Sequence, residues 1–362
     1  MNAVVLVGGG GTRLRPLTYA VSKPLIPVVN RPLVAHILTN LQRHGVRRVV
    51  LAASASDRSI EDTIGDGAAL GLEVTYCYET TPLGSGLAVK QAARGFTGPF
   101  FVCNGDVITD LNLTAMAERH TERQAILSIF LAPVEDPTAF GVAELGEADR
   151  IVRFVEKPAL SEAPSNWANA GTWIFEPAVL DHISDERMDR SLEQLVFPSL
   201  IGEGLMVQGF ASTAYWMDVG TSERYLQLHS DILNGLVAGV LEADPSSPIL
   251  GDALDLRDGV EIGARVLIGP GCAVHEKARI GGPSVLGAGC EVQTGSTIER
   301  SVLWQRVLVG PGARIRDSIL GEGCQVGAGA TVEGAVLANG ARVEPGVTLS
   351  PGARLEPGEV AA

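Results

Sequence analysis

The feature that most constrains the fold is a six-residue repeat in the last part of the 362-residue chain. From Ile262 to Leu355 an Ile, Leu or Val recurs every five or six positions, and from Val266 onward a small residue stands two positions before each of them. One large aliphatic and one small inward side chain per hexapeptide predict a parallel β-helix, in which three short strands make one coil and coils bury their apolar sides by stacking. The step of 17 residues between Leu286 and Leu303 corresponds to a coil with one side a residue shorter, and the stretch predicts roughly five coils.

The cysteines fit this repeat. Cys272, Cys290 and Cys324 occupy the small inward position, where a cysteine behaves as a small apolar packing residue. We therefore expect neither a metal site nor a redox pair among them. The odd total of five, scattered along the chain, also argues against a secreted disulfide framework and favours a reducing, cytoplasmic environment.

The amino-terminal part has a different pattern, in which short apolar strands alternate with helical stretches. The sequence predicts strands at Val4–Val7, Arg48–Ala52 and Phe100–Cys103, and helices at Val34–His44 and around Ala88–Ala93. This alternation is typical of a parallel sheet with helices on both faces. Ligands of such sheets bind beyond the carboxyl ends of the strands.

These patterns predict the division of the chain. We expect an α/β domain over residues 1–240 with a last helix at Asp231–Val240, a linker or cap over 241–261 that contains a Pro-Ser-Ser-Pro stretch, and the β-helix domain over 262–362. The start of the chain lacks a basic segment followed by a cleavage site, and no apolar run approaches the roughly 20 residues of a membrane span. We expect no membrane partner.

Charge is distributed unevenly along the chain. The net charge of −14 argues against a nucleic-acid partner, since phosphate backbones are bound by basic surfaces. No Asp or Glu precedes Asp57, whereas the same segment carries seven Lys and Arg residues. A cationic segment in an acidic protein indicates a local site for a small polyanion.

The strongest motif lies in that cationic segment. Four glycines, Gly8 to Gly11, follow the first strand and lead into Thr-Arg-Leu-Arg-Pro-Leu-Thr and then Ser-Lys-Pro. Glycines after a strand let backbone N–H groups approach a phosphate, and Arg13 and Lys23 would neutralise its charge. The motif is neither a Walker A loop nor the dinucleotide fingerprint GxGxxG, because Arg13 stands where the third glycine belongs.

This motif resembles the opening motif of the sugar-phosphate nucleotidyltransferases, the NDP-sugar pyrophosphorylases. The resemblance covers nearly the whole chain and implies a Rossmann-like nucleotidyltransferase domain followed by a left-handed β-helix. Further stretches match the family's motifs in order, and they are Pro82-Leu83-Gly84-Ser85-Gly86, Asn104-Gly105-Asp106, Phe140-Gly141, Glu156-Lys157-Pro158, Asn169-Ala170-Gly171 and Trp216-Met217-Asp218-Val219-Gly220. The chain departs from the family at Gly10, Ser22 and Leu87, and the last of these leaves the base contacts unassigned.

The resemblance also implies roles. Asp106 and Asp218 would hold Mg²⁺, Arg13 would stabilise the departing pyrophosphate, Lys23 would lie at the α-phosphate, and Lys157 would bind the sugar phosphate. The nucleotide-binding residues it implies are Leu6, Gly8, Gly9, Gly11, Thr12, Arg13, Pro82, Gly84, Ser85, Asn104 and Gly105. The substrate-binding residues it implies are Gly141, Glu156, Lys157, Asn169, Gly171 and Trp216.

The implied reaction joins an NTP to a sugar 1-phosphate. The layout is most similar to guanylyltransferases of mannose 1-phosphate, so GTP with that sugar or a related sugar or cyclitol phosphate is the leading expectation. Adenylyl, thymidylyl or uridylyl transfer to glucose 1-phosphate shares every motif. Two further hypotheses are a regulatory homologue without turnover and acyl transfer by the β-helix, which has one histidine, His275. We expect the β-helix to mediate homo-oligomerisation.

Overall fold

The computed structural model describes residues 1–81, 83–184 and 191–362, which form two compact units. Residues 1–9 and 34–218 make up the first unit, and residues 10–33 and 219–362 make up the second. The chain therefore passes from one unit to the other between Gly9 and Gly10, and again between Asp218 and Val219. Both crossings fall inside motifs that the sequence singles out. The predicted domain boundaries at residues 240 and 262 stay predictions.

The strands of the chain before the β-helix all lie before residue 219. In chain order they are β1 (Asn2–Leu6), β2 (Pro27–Val28), β3 (Arg31–Pro32), β4 (Arg48–Ser54), β5 (Glu73–Glu79), β6 (Phe100–Asn104), β7 (Val107–Thr109), β8 (Leu127–Pro133), β9 (Gly141–Leu145), β10 (Ile151–Glu156), β11 (Trp167–Phe175), β12 (Val207–Ala211) and β13 (Trp216–Asp218). The hairpin β2–β3 belongs to the second unit.

The helices alternate with these strands. The α-helices are α1 (Leu33–Arg43), α2 (Ser59–Ile64), α3 (Gly84–Ala92), α4 (Leu113–Glu122), α5 (Phe197–Gly202) and α6 (Ser222–Leu233). Short 3₁₀ turns lie at Thr12–Leu14, Leu17–Tyr19, Lys23–Leu25, Ala68–Leu70, Pro137–Ala139, Glu147–Asp149, Leu160–Glu162 and Pro177–His182, and a π turn at Leu192–Val196. Within the described residues, no helix combines the length and the apolar character needed to cross a bilayer.

The first unit is built on one mixed sheet. Its order is β10-β9-β11-β6-β1-β4-β5, and β8 pairs with β11 and β12. Strands β6, β1, β4 and β5 run parallel, as predicted. The expectation of a parallel sheet is wrong for the other half. There β11 pairs antiparallel with β6, β8 and β9, and β9 pairs antiparallel with β10, whereas β8 and β12 run parallel.

Buried apolar side chains pack around β1, which lies between β6 and β4 in the sheet. Val4 on β1 and Phe100 on β6 are fully buried, and Trp173 and Phe175 on β11 pack in the same core. Leu6 at the end of β1 lies opposite both Ala52 and Asn104 in parallel register. The residues after β1 and after β6 therefore leave the sheet at the same edge, where the sequence places Gly8 and Asp106.

The second unit contains the β-helix, whose strands form three parallel sheets. The first face consists of Ile249–Leu250, Val266–Ile268, Ser284–Leu286, Val302–Leu303, Ile319–Leu320, Val336–Leu337 and Arg354–Leu355. The second consists of Asp255–Leu256, Ala273–Val274, Glu291–Val292, Leu308–Val309, Gln325–Val326, Arg342–Val343 and Val360–Ala361. The third consists of Glu261–Ile262, Arg279–Gly281, Thr297–Glu299, Arg314–Arg316, Thr331–Glu333 and Thr348–Leu349.

The predicted β-helix is confirmed, but it begins earlier than the sequence pattern indicates. Strands Ile249–Leu250 and Asp255–Leu256 pair in parallel with the following coil, so regular coils start inside the segment predicted as a linker or cap. Leu254 packs against the core at the inward position, where later coils have smaller residues. Because of this leucine, the sequence pattern does not reveal the repeat in the first coil.

Serine hydroxyl groups explain the shorter coils. At an ordinary corner the N–H of the inward residue donates to the carbonyl three residues earlier, as from Ala278 to His275. At the short corner the N–H of Ser318 donates instead to the hydroxyl of Ser301, 17 residues earlier, at 3.1 Å. The N–H of Ala335 donates in the same way to the hydroxyl of Ser318 at 3.1 Å. The hydroxyl thus supplies the acceptor that the missing residue would otherwise provide.

Helix α6 fastens the segment before α1 within the second unit. Tyr225 is fully buried, its hydroxyl donates to the carbonyl of Pro27, and it accepts a hydrogen bond from the indole N–H of Trp304 at 3.0 Å. The N–H of Val29 donates to His229 at 3.2 Å. The predicted helix at 231–240 is wrong, because α6 ends at Leu233 and Gly235, at φ 76°, turns the chain away.

Candidate active site

Two carboxylates are brought together in the first unit. Strand β13 pairs antiparallel with β7, and Asp218 lies opposite Val107. Asp106 directly precedes Val107, so Asp106 and Asp218 flank the same end of this two-stranded ladder. Both residues are half-buried. Residues that are distant in the sequence thus present hard oxygen donors at one place.

Gly105 allows the chain to pass close to the central strand. Its N–H donates to the carbonyl of Leu6 at 2.8 Å. A Cβ on Gly105 would lie 2.5 Å from that carbonyl oxygen and 2.8 Å from Cγ1 of Val7. Any side chain would therefore push Asp106 away from the end of β1, which explains the glycine before it.

Three of the predicted substrate-binding residues, Asn169, Gly171 and Trp216, lie on β11 or contact it. Gly171, at φ 71°, bulges from β11 so closely that an added Cβ would meet Nδ2 of Asn104 at 2.7 Å. Asn169 accepts hydrogen bonds from the N–H of Gly171 at 3.2 Å and from the indole of Trp173 at 2.8 Å. The indole N–H of Trp216 donates to the carbonyl of Ala170 at 2.9 Å. This last contact fixes Trp216, which starts the strand that ends in the second carboxylate.

Glu156 is the last residue of β10, and Lys157 directly follows it. Glu156 lies opposite Gly141, where an added Cβ would be 2.6 Å from its Oε2. Burial raises the pKa of the Glu156 carboxyl, the nearby Glu193 raises it further, and Lys157 opposes the rise. Lys157 Nζ lies 3.7 Å from Glu156 Oε1, with 65% of the lysine side chain exposed against 19% for the glutamate. Lys157 is thus a solvent-facing cation beside a half-buried acid.

Gly84 and Ser85 are the first two residues of α3. Gly84 has φ 77°, which suits glycine at the entry of the helix. The Ser85 hydroxyl accepts a hydrogen bond from the N–H of Leu192 at 2.9 Å, so it links the start of α3 to the π turn Leu192–Val196. Leu87 is buried in the core of the first unit. Pro82, predicted to bind the nucleotide, lies outside the described residues.

In the second unit, residues 10–23 form a compact loop. Gly11, at φ 56°, is so close to Lys23 and Thr18 that an added Cβ would lie 3.0 Å from a carbon of each. The Thr18 hydroxyl donates to the carbonyl of Gly11 at 2.8 Å. Lys23 is buried, with 9% of its surface exposed, whereas Thr12 and Arg13 are exposed.

Arg13 is held against Gly220, the last residue of the motif that contains Asp218. Its guanidinium carbon would lie 3.1 Å from a Cβ placed on Gly220, which is buried. A side chain at this position would require the arginine to shift by a few tenths of an ångström. Gly8 and Gly9, in the first unit, are exposed, and Gly9 has no heavy atom within 4 Å of an added Cβ. The two glycines therefore leave room beside the backbone after β1.

The donor set suits a magnesium ion. Mg²⁺ is commonly held by one or two carboxylates together with phosphate and water oxygens, and Asp106 and Asp218 supply two carboxylates. Among the residues that the structure describes, no group of three or more His, Cys, Asp and Glu side chains forms a metal cage. The site thus fits an ion that arrives with its phosphate ligands.

In each unit, some residues next to the predicted ones were not predicted from the sequence. In the second unit Thr18 fixes Gly11 through its hydroxyl. In the first unit Phe140 packs edge-on against Trp216 with ring centres 5.2 Å apart, and Glu193 acts on the carboxyl of Glu156 through its charge. Thr18 and Phe140 lie inside recognised motifs, whereas Glu193 lies outside them, in a π turn capped by Ser191.

Comparison with protein families confirms the predicted resemblance. Residues 2–235 match the family model described as nucleotidyl transferase. Residues 250–349, which lie within the β-helix, match the model described as the EIF2B subunit epsilon LbH domain. The second match begins at the first coil of the β-helix.

Individual relatives cover most of the chain. A mannose-1-phosphate guanylyltransferase of Mycobacterium tuberculosis is 35% identical over 305 residues, 83% of each chain. A UTP–glucose-1-phosphate uridylyltransferase of Synechocystis is 31% identical over 336 residues, 88% of this chain and 86% of the relative. The solved structure of a UDP-glucose pyrophosphorylase complexed with UDP-glucose matches 63% of this chain and 96% of its own with a TM-score of 0.56 at 19% identity, which shows a shared fold.

Proposed function

Since the chain belongs to the nucleotidyl transferase family, we propose that it transfers GMP from GTP to mannose 1-phosphate and releases pyrophosphate. The reaction class, NDP-sugar formation from an NTP and a sugar 1-phosphate, is that of the relatives named above. The choice of GTP and mannose rests on the 35% identity to the mycobacterial mannose-1-phosphate guanylyltransferase. The observation that carries the reaction class is the pair Asp106 and Asp218 on adjoining strands next to the glycine-flanked end of β1.

The proposed step is a single in-line displacement. A phosphate oxygen of the sugar 1-phosphate forms a bond to the α-phosphorus of the NTP, and the bond from that phosphorus to the bridging oxygen of the β-phosphate breaks. The products are the NDP-sugar and pyrophosphate. The phosphate oxygen is already nucleophilic, so alignment and charge neutralisation are the main requirements, and a Ser-His-Asp set is not needed.

Each charged residue has a task in this proposal. Arg13 stabilises the negative charge on the departing pyrophosphate, and the buried Lys23 acts on the α-phosphate. Lys157, exposed beside Glu156, binds the phosphate of the incoming sugar. In this proposal Glu156 accepts a hydrogen bond from a sugar hydroxyl group. Asn169, whose side-chain oxygen already accepts two hydrogen bonds, donates one from its amide group. The N–H groups after β1 bind the triphosphate where the two exposed glycines leave the backbone open.

Mg²⁺ is the proposed cofactor, held by Asp106 and Asp218. When bound, it would neutralise charge on the phosphates during the displacement. The two carboxylates fit this ion, as their number and chemistry indicate. We also propose a homo-oligomer formed through the β-helix, which light scattering of the purified protein would test.

A substrate matrix tests the proposed function. Pyrophosphate release is measured for GTP, ATP, UTP and dTTP, each with mannose 1-phosphate and glucose 1-phosphate, with and without Mg²⁺. We expect the highest kcat/KM for GTP with mannose 1-phosphate and no release without the metal. A preference for UTP and glucose 1-phosphate would overturn the choice of substrate but keep the reaction class. Binding of nucleotide sugar with no release from any pair would indicate a regulatory homologue, and consumption of acetyl-CoA would indicate acyl transfer.

The carboxylates need a separate test. Asp106→Asn and Asp218→Asn should each lower Mg²⁺-dependent release by at least about 100-fold, because an amide replaces a charged ligand. Asp62→Asn, at an exposed position of α2, is the matched control and should keep full activity. Full activity of either active-site variant would contradict the metal assignment.

A further inference from the structure

We propose that Arg354, on the last strand of the first β-helix face, is a positioning residue for the transfer reaction because it fixes the turn that carries Arg13. The inference rests on the proposed function. It starts from contacts within the second unit, where Arg354 lies next to both the glycine-rich loop and the first turn of α6. Neither contact involves a residue that the sequence motifs single out as catalytic.

The first contact is to the backbone of the loop. Arg354 Nη1 donates a hydrogen bond to the carbonyl oxygen of Arg15. The side chain of Arg15 is turned elsewhere, with its guanidinium carbon 4.8 Å from the ring centre of Tyr19. Arg354 therefore acts on the main chain at Arg15, and the contact does not depend on the Arg15 side chain.

The turn between Gly11 and Arg15 transmits this contact to Arg13. The N–H of Leu14 donates to the carbonyl of Gly11 at 3.0 Å, and the N–H of Arg15 donates to the carbonyl of Thr12 at 3.3 Å. Arg13 is the central residue of this 3₁₀ turn and is itself exposed. Holding the end of the turn at Arg15 therefore limits the movement of Arg13.

The second contact joins Arg354 to helix α6, which begins next to Arg13. Arg354 Nη2 lies 3.9 Å from Glu223 Oε1, in the first turn of α6. That helix is capped by Thr221, and Gly220, directly before the cap, packs against the Arg13 guanidinium at 3.1 Å from its Cβ position. Arg354 thus links the two chain segments between which Arg13 is held.

The contacts of Arg354 are too exposed to matter greatly for folding. The side chain of Arg354 is 43% exposed and that of Glu223 is 77% exposed, and ion pairs of this kind contribute little to stability. A small displacement of a positioned cation, in contrast, reduces a transfer rate strongly. A role in positioning and a role in stability therefore predict different measurements.

The test uses the full-length protein and the variants Arg354→Ala and Arg354→Lys. We expect kcat of Arg354→Ala to fall about tenfold with the melting temperature nearly unchanged, and Arg354→Lys to recover part of the loss because one donor remains. In an Arg13→Ala background, Arg354→Ala should cause no further loss, since the two residues act in one unit. Arg342→Ala, another exposed β-helix arginine, is the control and should behave as wild type.

Amide hydrogen exchange gives a readout that is independent of turnover. Exchange at the N–H of Leu14 and Arg15 should become about tenfold faster in Arg354→Ala, whereas Arg342→Ala leaves it unchanged. Unchanged exchange would overturn the inference, and so would faster exchange with unchanged kcat or additive losses in the double variant. No turnover by the wild-type protein with any substrate pair would overturn the proposed function, and the exchange result would still decide whether Arg354 holds the turn.

Discussion

The guanidinium of Arg13 occupies the space that a side chain at Gly220 would need, with 3.1 Å between its central carbon and the Cβ position. The contact with Arg13 therefore favours glycine at position 220, whereas its backbone conformation does not require glycine. A methyl group there must displace the group that we assign to the pyrophosphate.

We accordingly predict that Gly220→Ala lowers kcat/KM by at least about tenfold, because a small shift of a positioned cation is costly in rate. The melting temperature should change little. Gly202→Ala is the matched control, since an added Cβ there meets no heavy atom within 4 Å. Steady-state kinetics of both variants check the prediction, and equal activities would contradict it.

Gly171 combines a left-handed backbone with a crowded neighbour. Alanine at φ 71° costs about 1–2 kcal/mol in any setting. Here the methyl group would also lie 2.7 Å from Nδ2 of Asn104, so Gly171→Ala should lose more stability and displace a predicted nucleotide contact.

Gly95→Ala separates these two effects. Gly95 has φ 84° but no heavy atom within 4 Å of an added Cβ. Denaturant unfolding should give the backbone cost alone for Gly95→Ala and a larger loss for Gly171→Ala. Pyrophosphate release should fall only in the latter. Equal losses of stability would show that Asn104 moves aside without cost.

Glu156 gives a prediction about pH. Burial, helped by Glu193, raises the pKa of its carboxyl above that of the unfolded chain, about 4.3. The favourable contribution of such a group is present below the unfolded pKa and is lost as pH rises through the folded pKa. At neutral pH the charged Glu156 therefore lowers the free energy of unfolding.

Glu156→Gln should consequently raise the melting temperature at pH 7.5 by a few degrees, since 1 kcal/mol corresponds to about 2–4 °C in chains of this size. The gain should shrink toward pH 4, and turnover should fall at all pH values. Glu162→Gln, at an exposed position, is the control. A melting temperature below wild type at pH 7.5 would contradict the assignment of a destabilising carboxylate.

The serines of the short corners have different tasks from the other inward serines. Ser318→Ala removes the acceptor of the Ala335 N–H and should cost about 1–3 kcal/mol, the usual effect of a buried polar group without a partner.

Ser296→Ala should cost less. The hydroxyl of Ser296 donates to the carbonyls of Gln293 and Gly310, and both carbonyls also accept a backbone N–H. Equilibrium unfolding of the two variants checks the difference. A loss from Ser296→Ala as large as that from Ser318→Ala would contradict this difference, because it would mean that the acceptor role of the Ser318 hydroxyl adds nothing to its contribution to stability.

The sequence predicts those features that repeat or that require glycine. The β-helix follows from its period because every coil buries the same two positions, and Gly105 follows from a motif whose crowding the structure explains. The first coil is not predicted because Leu254 stands there in place of a small inward residue.

The pairing of the carboxylates cannot be predicted from spacing. Asp106 and Asp218 meet because β7 and β13 pair in one register, and nothing local to either strand specifies that partner. The antiparallel half of the sheet escapes prediction for the same reason, since β8, β9 and β10 have ordinary strand patterns. Long-range pairing depends on packing of the whole unit.

The serine hydroxyls of the short corners also make coil length a modular property. Ser284, Ser301 and Ser318 stand 17 residues apart, and each accepts the N–H of its successor one turn later. A tandem duplication of residues 302–318 would therefore add one complete turn, because the inserted copy brings its own acceptor and meets the same neighbour on either side. The solenoid could be lengthened in units of one such copy, whereas an insertion of the same length that ends in a residue without a hydroxyl would leave the N–H of the next short corner without this acceptor.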